Sequence, residues 1–313
     1  RRLEPPASEV QLSGRLHQRS RDSAAIAAHY GLPNGFYELL LGESMTYSCA
    51  VFEDTGQDLA TAQHNKHELV CQKLGLSAQA RLLDVGCGWG SMAIHAARHH
   101  GVRVVGVTLS QEQFDLARKR VSEAGVGDLV ELRIQDYRDV DDEPFDAISS
   151  VGMAEHVGWQ KLPEYAAQLA RLVRPGGRVL NHQITNWTTK QSLQQRSGLL
   201  QRPNFIQRYV FPDGELYDPS VTVAALQKVG LEVRHVESLR EHYALTLRQW
   251  VTRLEDSWDD AVSKIGEERA RIWRLYMTAA IRNFETGRSS IHQTLAVKAH
   301  PDGTSELPLR PNW

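Results

Sequence analysis

A glycine-rich turn constrains the fold of this chain more than any other sequence feature. Residues 82–90 read LLDVGCGWG, so a short apolar strand ends in an acidic residue and runs into three alternating glycines. Glycine lets the backbone come close to a ligand, and the helix predicted to start at Ser91 places its N-terminus beside the turn. The turn therefore predicts a ligand site after the first strand of an α/β sheet. Its G-x-G-x-G spacing differs from the G-x-G-x-x-G of dinucleotide binders.

Short apolar runs alternate with amphipathic runs between residues 80 and 183, and again after residue 220. Strands separated by helices of this length indicate βαβ units. The predicted fold class is therefore α/β, with a doubly wound, seven-stranded, Rossmann-like parallel sheet and helices on both faces. The predicted strands are 81–85, 102–107, 129–134, 145–151, 179–184, 231–239 and 290–298, and the predicted helices are 91–100, 111–124, 162–173 and 221–229.

The remaining segments suggest where the domain begins and ends. Residues 185–219 are polar and rich in turn residues, and a connection this long inside a compact domain is usually a lid or a binding segment. Residues 244–286 are strongly helical and form an insertion before the last strand. We therefore expect one domain over 29–300, preceded over 1–28 by a flexible lead-in or the remnant of an N-terminal domain, and followed over 301–313 by a tail.

Composition narrows the class of partner. The 313 residues include 36 Lys and Arg against 38 Asp and Glu, and this net charge of −2 argues against the strongly basic face that nucleic-acid binding needs. Three cysteines, none in a CxxC pair, fit a reducing compartment, and no apolar run approaches the roughly 18 residues of a membrane span. The chain is thus predicted to be cytoplasmic, without a nucleic-acid partner and without a metal site.

With the acidic residue before it, the glycine turn resembles motif I of S-adenosylmethionine-dependent methyltransferases. Together with further motifs it resembles the cyclopropane-fatty-acyl-phospholipid synthase family, which includes the mycolic acid cyclopropane synthases. Residues 205–216 and 285–293 look like an actinobacterial branch in which some members make 10-methylene fatty acyl chains. The motifs that carry the family resemblance are YSCA at 47–50, GVTLSQEQ at 106–113, GMAEHVG at 152–158 and HQI at 182–184.

The resemblance implies S-adenosylmethionine as the cofactor. In the family, the acidic residue and the glycines hold the methionine part of the cofactor, residues after the second strand follow its ribose and adenine, and the N-terminal YSCA motif approaches from the other side. Carried over residue by residue, the expected cofactor-binding set is Tyr47, Ser48, Asp84, Gly86, Gly88, Thr108, Leu109, Gln113, Asp136 and Tyr137.

The resemblance also implies a bicarbonate ion near the sulfonium of the cofactor. Its ligands match Glu155, His182 and Tyr243 by side chain, and Cys49 and Ile184 largely by backbone. No base is identifiable beside Cys49 in the sequence, so a backbone role is expected for it and not covalent catalysis. Aromatic rings are expected to stabilise a cation in the acyl chain, with candidates Tyr30, Phe36, Tyr209, Trp250 and Tyr276.

The activity that the resemblance implies is S-adenosylmethionine-dependent C-methylation of the cis double bond in an unsaturated phospholipid acyl chain. The resulting carbocation would lose a proton to bicarbonate and give a cyclopropane or a 10-methylene chain. The helical insertion and the 185–219 segment are expected to form an apolar acyl pocket, and the protein is expected to act at the inner membrane face. Family members often dimerise and carry an additional N-terminal domain. Two alternatives remain: a small-molecule O-, N- or C-methyltransferase, and a non-catalytic module that binds cofactor or lipid.

Overall fold

The computed structural model describes residues 8–186 and 204–313. These residues form a single sheet of seven strands, in the order β3-β2-β1-β4-β5-β7-β6. The strands are β1 (Arg81–Val85), β2 (Arg103–Thr108), β3 (Val130–Ile134), β4 (Phe145–Val151), β5 (Val173–Asn186), β6 (Leu231–Ser238) and β7 (Ser289–Lys298). The predicted seven-stranded α/β fold is confirmed.

The direction of the last strand differs from the parallel sheet expected from the sequence. Strands β1 to β5 pair in parallel, whereas β7 is antiparallel to both β5 and β6 and lies between them. The helical insertion explains this, because it leaves the sheet after Ser238 and returns at Ser289, next to the position it left. A chain that re-enters a sheet at the end it left runs back in the opposite direction.

Capping residues in the sequence determine where two of the helices begin. Asp58 accepts a hydrogen bond from the Thr61 N–H, and Asp218 does the same for the Ser220 N–H, so each caps a helix at its first residues. The helices are α1 (Arg19–Tyr30), α2 (Asn34–Leu41), α3 (Leu59–Leu74), α4 (Ser91–His100), α5 (Gln111–Glu123), α6 (Ala154–Val157), α7 (Leu162–Leu172), α8 (Phe205–Tyr209), α9 (Pro219–Lys228), α10 (Arg240–Asp256), α11 (Trp258–Ile265) and α12 (Glu267–Glu285).

The N-terminal segment corrects one expectation. The sequence predicts a flexible lead-in or the remnant of an N-terminal domain over 1–28. Residues 19–28 are not a flexible lead-in, because they form most of α1, whose Ala25 and His29 are buried. Their polar composition conceals this role, because the charged residues pair with other elements: Arg21 with Asp213, and Asp22 with Arg138. Helix α1 is therefore part of the fold and forms one wall of the site described below.

Three apolar clusters hold the domain together. Two lie around the sheet, and the third joins α2 to the inserted helices α10, α11 and α12 around the buried rings of Phe36, Tyr37, Trp250 and Trp273. The inserted helices therefore have a core of their own beside the carboxyl edge of the sheet. Among the described residues, no helix combines the length and apolar character needed to cross a bilayer.

Candidate active site

A cleft opens at the carboxyl ends of β1, β2 and β4, where ligands bind in open α/β sheets. Gly86 and Gly88 in the turn after β1 have φ angles of 75° and 53°, which other residues rarely adopt. A Cβ atom on Gly86 would also clash with the side chain of Met153. All ten residues expected to bind the cofactor line this cleft: Tyr47, Ser48, Asp84, Gly86, Gly88, Thr108, Leu109, Gln113, Asp136 and Tyr137.

Opposite charges face each other at one end of the cleft. Asp84 accepts a hydrogen bond from the Ser149 hydroxyl at 2.6 Å, while its Oδ2 has no partner among the described residues. Burial raises the pKa of Asp84 to about 6, and burial lowers the pKa of Lys66, which lines the same cleft, to about 7. This pair offers a carboxylate and an ammonium, which complement the ammonium and carboxylate of an amino acid.

At the other end of the cleft, side-chain hydrogen bonds hold the residues expected to bind the cofactor. The Thr108 hydroxyl donates to the side chain of Gln113 at 2.9 Å, so these two expected cofactor residues support each other. Both carboxylate oxygens of Asp136 accept hydrogen bonds from Arg138, at 2.9 and 2.6 Å. Asp136 lines the cleft, but Arg138 already pairs with its charge, so fewer of its oxygen lone pairs are available to a ligand.

A second cavity, of about 580 Å³, adjoins the cleft on the side of the inserted helices. The two share Tyr30, Tyr47, Ser48, Gly152 and His156, so a ligand in one lies next to a ligand in the other. Four of the five residues expected around bicarbonate line this cavity: Glu155, His182, Ile184 and Tyr243.

The fifth, Cys49, does not line the cavity. Its side chain is fully buried, and its thiol donates to the carbonyls of Ala50 at 3.2 Å and Leu239 at 3.7 Å. Burial raises the pKa of this thiol, which therefore stays protonated and is a poor nucleophile.

Glu155 follows β4 and points toward β5. Its Oε1 accepts the Ile184 N–H at 2.7 Å, so this N–H is not free to bind an anion. Its Oε2 is buried without a partner among the described residues. Burial raises the pKa of Glu155 to about 7, so near neutral pH the carboxyl group switches between a charged acceptor and a neutral donor.

His182 is held in one tautomer by a chain of buried groups. Lys73 donates to Oε1 of Gln293 at 2.7 Å and pairs with Glu237. Because lysine can only donate, the amide of Gln293 must present its Nε2 to His182, and it does so at 3.2 Å from Nδ1. Nδ1 therefore accepts, and the ring proton lies on Nε2, which has no partner among the described residues. Burial lowers the pKa of His182 to about 3, so the ring is neutral.

Aromatic rings line the cavity near these groups. Of the five candidates named from the sequence, Tyr30 and Tyr276 line it, whereas Phe36 and Trp250 lie in the core behind it and Tyr209 lies on α8. The ring of Tyr243 lies 4.7 Å from that of Phe284 and 6.0 Å from that of Trp250, so the inserted helices support it.

Three residues of the site are not predicted from the sequence: Lys66, Lys73 and Gln293. Lys66 and Lys73 are seven residues apart on α3 and both are buried, so they lie on one face of the helix toward the sheet. Their spacing could have indicated that they are buried, because both lysines lie on the same stripe of the helix as Ala62, Val70 and other apolar residues. Gln293 gives no such signal, since its partner His182 comes from a strand more than a hundred positions earlier.

The glycine turn after β1, the acid near the end of this strand and the cleft across the sheet edge define an S-adenosylmethionine-dependent methyltransferase. The sequence profile of the mycolic acid cyclopropane synthetase family matches residues 17–294, and the chain belongs to this family.

Individual relatives agree with this assignment. The chain is 46% identical over 317 residues to the probable fatty acid methyltransferase Rv3720 of Mycobacterium tuberculosis, covering 99% of this chain and 72% of that protein. It is 33% identical over 276 residues to the cyclopropane-fatty-acyl-phospholipid synthase of Escherichia coli, covering 88% and 68%. The crystal structure of mycolic acid cyclopropane synthase CmaA1 complexed with SAH and CTAB is 31% identical, with a TM-score of 0.82 over 88% of this chain and 98% of that one.

Proposed function

We propose that this protein transfers a methyl carbon from S-adenosylmethionine to the cis double bond of an unsaturated fatty acyl chain in a phospholipid. The observation that carries the proposal is the cavity of about 580 Å³ that shares five lining residues with the cofactor cleft. The names of the relatives, a fatty acid methyltransferase and a cyclopropane-fatty-acyl-phospholipid synthase, support an acyl substrate.

When bound, S-adenosylmethionine supplies a methyl group on a sulfonium, which is electrophilic enough for an isolated alkene to attack. Asp84, Lys66 and the glycine turn would hold its amino-acid end, and Tyr47, Ser48 and Gly152 lie where cleft and cavity meet. Attack by the double bond forms one C–C bond, breaks the S–CH₃ bond and leaves a cation on the acyl chain. Tyr30 and Tyr276 would stabilise that cation through their ring faces.

The cation must lose a proton, and the groups around Glu155 and His182 fit a small oxyanion that would accept it. His182 offers its Nε2–H, Glu155 offers the unpartnered Oε2, and Tyr243 lines the same cavity. Bicarbonate, when bound there, would supply a weak base within reach of the proton. Its hydroxyl would donate to Glu155, and His182 would donate to one of its oxygens. Proton loss from the transferred methyl closes a cyclopropane while the cation lies on the neighbouring chain carbon. If a hydride shift first moves the cation to the carbon that bears the methyl, proton loss from the same methyl leaves a 10-methylene group.

Exposed apolar side chains at the rim of the cavity support work at a membrane surface. Trp159 and Leu216 both line the cavity, yet they are 45% and 42% exposed. They lie on adjoining segments, because the Trp159 N–H donates to Glu215 at 2.9 Å. Exposed large apolar groups beside a lipid-sized cavity are suited to contact with a bilayer, from which an acyl chain enters.

The test is a reaction of the purified protein with S-adenosylmethionine and vesicles of oleoyl phospholipid. The released fatty acids are analysed by mass spectrometry and proton NMR. We expect a gain of one CH₂, with upfield cyclopropane protons or exocyclic methylene protons identifying the product. No gain on any lipid, or methylation of a small O- or N-nucleophile instead, would overturn the proposal.

A further inference from the structure

A cluster of histidines lies where α3 packs against α4, apart from the cleft and the cavity. On α3, His64 and Glu68 are four residues apart, and on α4, His95 and His99 are four residues apart. Residues at this spacing share a helix face, so each helix presents two potential metal ligands toward the other. None of these four residues lines the cofactor cleft or the acyl cavity.

Their side chains are close together. The ring centres of His64 and His95 lie 4.9 Å apart, those of His95 and His99 lie 4.6 Å apart, and one potential ligand atom from each of the three lies within 4.8 Å of the others. Nitrogens bound to one tetrahedral zinc ion are separated by about 3.4 Å, given Zn–N bonds of about 2.0–2.1 Å. His64 and His99 are exposed, so small side-chain rotations can close this gap.

A carboxylate orients the buried histidine of the cluster. Glu68 accepts from Nε2 of His95 at 3.2 Å and from His100 at 2.9 Å. Nδ1 of His95 is then the atom available to a metal. Metal-binding histidines are commonly held by such a carboxylate at the opposite nitrogen.

We propose that His64, His95 and His99 form a binding site for a divalent transition-metal ion of the zinc class, with Glu68 orienting His95. The ion would join α3 to α4 and stabilise the part of the fold that carries Lys66. This site is not predicted from the sequence, because its ligands come from two helices about thirty positions apart. Cys71, His95 and His100 form an overlapping set, and a variant at Cys71 distinguishes the two sets in the test below.

The test is a calorimetric titration of the tag-free, chelator-treated protein of residues 1–313 with zinc chloride. We expect one ion per chain, a zinc-dependent rise in the thermal unfolding midpoint, and tetrahedral absorption bands when cobalt replaces zinc. His64→Asn and His99→Asn change exposed residues and should each weaken zinc affinity at least about tenfold, as should Glu68→Gln. Cys71→Ser and the distant His300→Asn are the matched controls and should bind zinc as the parent does.

Three results would overturn the proposal. The first is the absence of stoichiometric zinc binding by the parent protein, and the second is unchanged affinity in both His64→Asn and His99→Asn. The third is loss of binding in Cys71→Ser with retention in His64→Asn, which would assign the ion to the overlapping set. Because His64→Asn and His99→Asn change exposed residues, a folding defect does not obscure their results. Cys71 is buried, so the assignment to the overlapping set also requires that Cys71→Ser unfold at the same midpoint as the parent in the absence of zinc.

Discussion

Gln293 donates a hydrogen bond to Nδ1 of His182 across the β5–β7 pair, at 3.2 Å. The amide can do so in only one orientation, because Lys73 occupies its oxygen. Lys73 therefore determines which nitrogen of His182 carries the proton, although Lys73 lines neither the cofactor cleft nor the second cavity. Lys73 and Gln293 are positioning residues for the group that we propose donates to bicarbonate.

Gln293→Glu tests this relationship with little change in shape. A carboxylate accepts from both neighbours, so His182 would move its proton to Nδ1 and lose the Nε2 donor. We expect kcat to fall about a hundredfold, as when one preorganised donor to an oxyanion is removed, with little change in KM. Nitrogen NMR of His182 should report the altered tautomer. Gln183→Glu, which places a carboxylate at another buried position of β5, should leave that tautomer unchanged, and an unshifted tautomer in Gln293→Glu would contradict the assignment.

The raised pKa of Glu155 predicts a pH dependence. The ionised carboxylate is the form that accepts from bicarbonate, so kcat should rise with pH through about 7 and then level off. Glu155→Gln should lower kcat about a hundredfold and remove this limb of the profile. If the profile of Glu155→Gln shows the same rise as that of the parent, the titration belongs to another group.

The raised pKa of Glu155 should also make the stability of the protein depend on pH. Its folded-state pKa of about 7 lies above the unfolded value near 4.5, so the folded state binds more protons between these pH values. The free energy of unfolding should therefore fall as pH rises through this range, and stay lower above pH 7. Chemical denaturation at pH 5 and pH 8 should show this loss in the parent and a smaller one in Glu155→Gln. An equal loss in both proteins would mean that other groups cause it.

Removal of bicarbonate is a direct test of the proposed base. In buffer depleted of carbon dioxide, we expect the rate of the parent protein to fall and to recover when bicarbonate is added. Glu155→Gln should respond much less, because one of the groups that would orient the ion is missing. A parent rate that is unaffected by depletion would favour the alternative of a small-molecule methyltransferase.

Lys66→Met tests the charged end of the cleft. Loss of a hydrogen bond between charged groups costs about 1.5–3 kcal/mol, so affinity for S-adenosylmethionine should fall by about one to two orders of magnitude. Methylthioadenosine lacks the amino-acid part, and its affinity should hardly change. Calorimetry with both ligands checks the difference, and Lys119→Met, at an exposed residue on α5, is the control. Equal losses for both ligands would argue against contact with the carboxylate.

The exposed rim of the cavity predicts a membrane effect. Trp159→Ala and Leu216→Ser should lower activity on vesicles about tenfold, since each removes apolar area that a bilayer would bury. Activity on the same lipid dispersed in detergent should change little. Leu275→Ser is the matched control, because Leu275 is 58% exposed on α12 and does not line the cavity. A similar loss in this control would show that the rim has no special role.

The sequence predicted the strands, and the residues that it named for the cofactor lie together in one cleft, for a physical reason. Asp84, Gly86 and Thr108 belong to short motifs at strand ends, and parallel strands bring their carboxyl ends to one edge of the sheet. Lys73 and Gln293 depend instead on contacts between α3, β6 and β7. Such contacts depend on how the helix packs against the strands, and no local sequence pattern encodes this packing. The antiparallel direction of β7 was missed because the insertion before it hides where the chain re-enters.

The inserted helices leave and rejoin the sheet at adjacent positions of β6 and β7, where the hydroxyls of Ser238 and Ser290 lie 3.0 Å apart. The segment between these two serines can thus vary in length or shape while β6 and β7 keep their register and the cofactor strands remain undisturbed. In such an architecture the choice of acyl chain and the use of the methyl donor are separable traits. Exchange of residues 239–289 between relatives should then transfer chain-length preference as a unit.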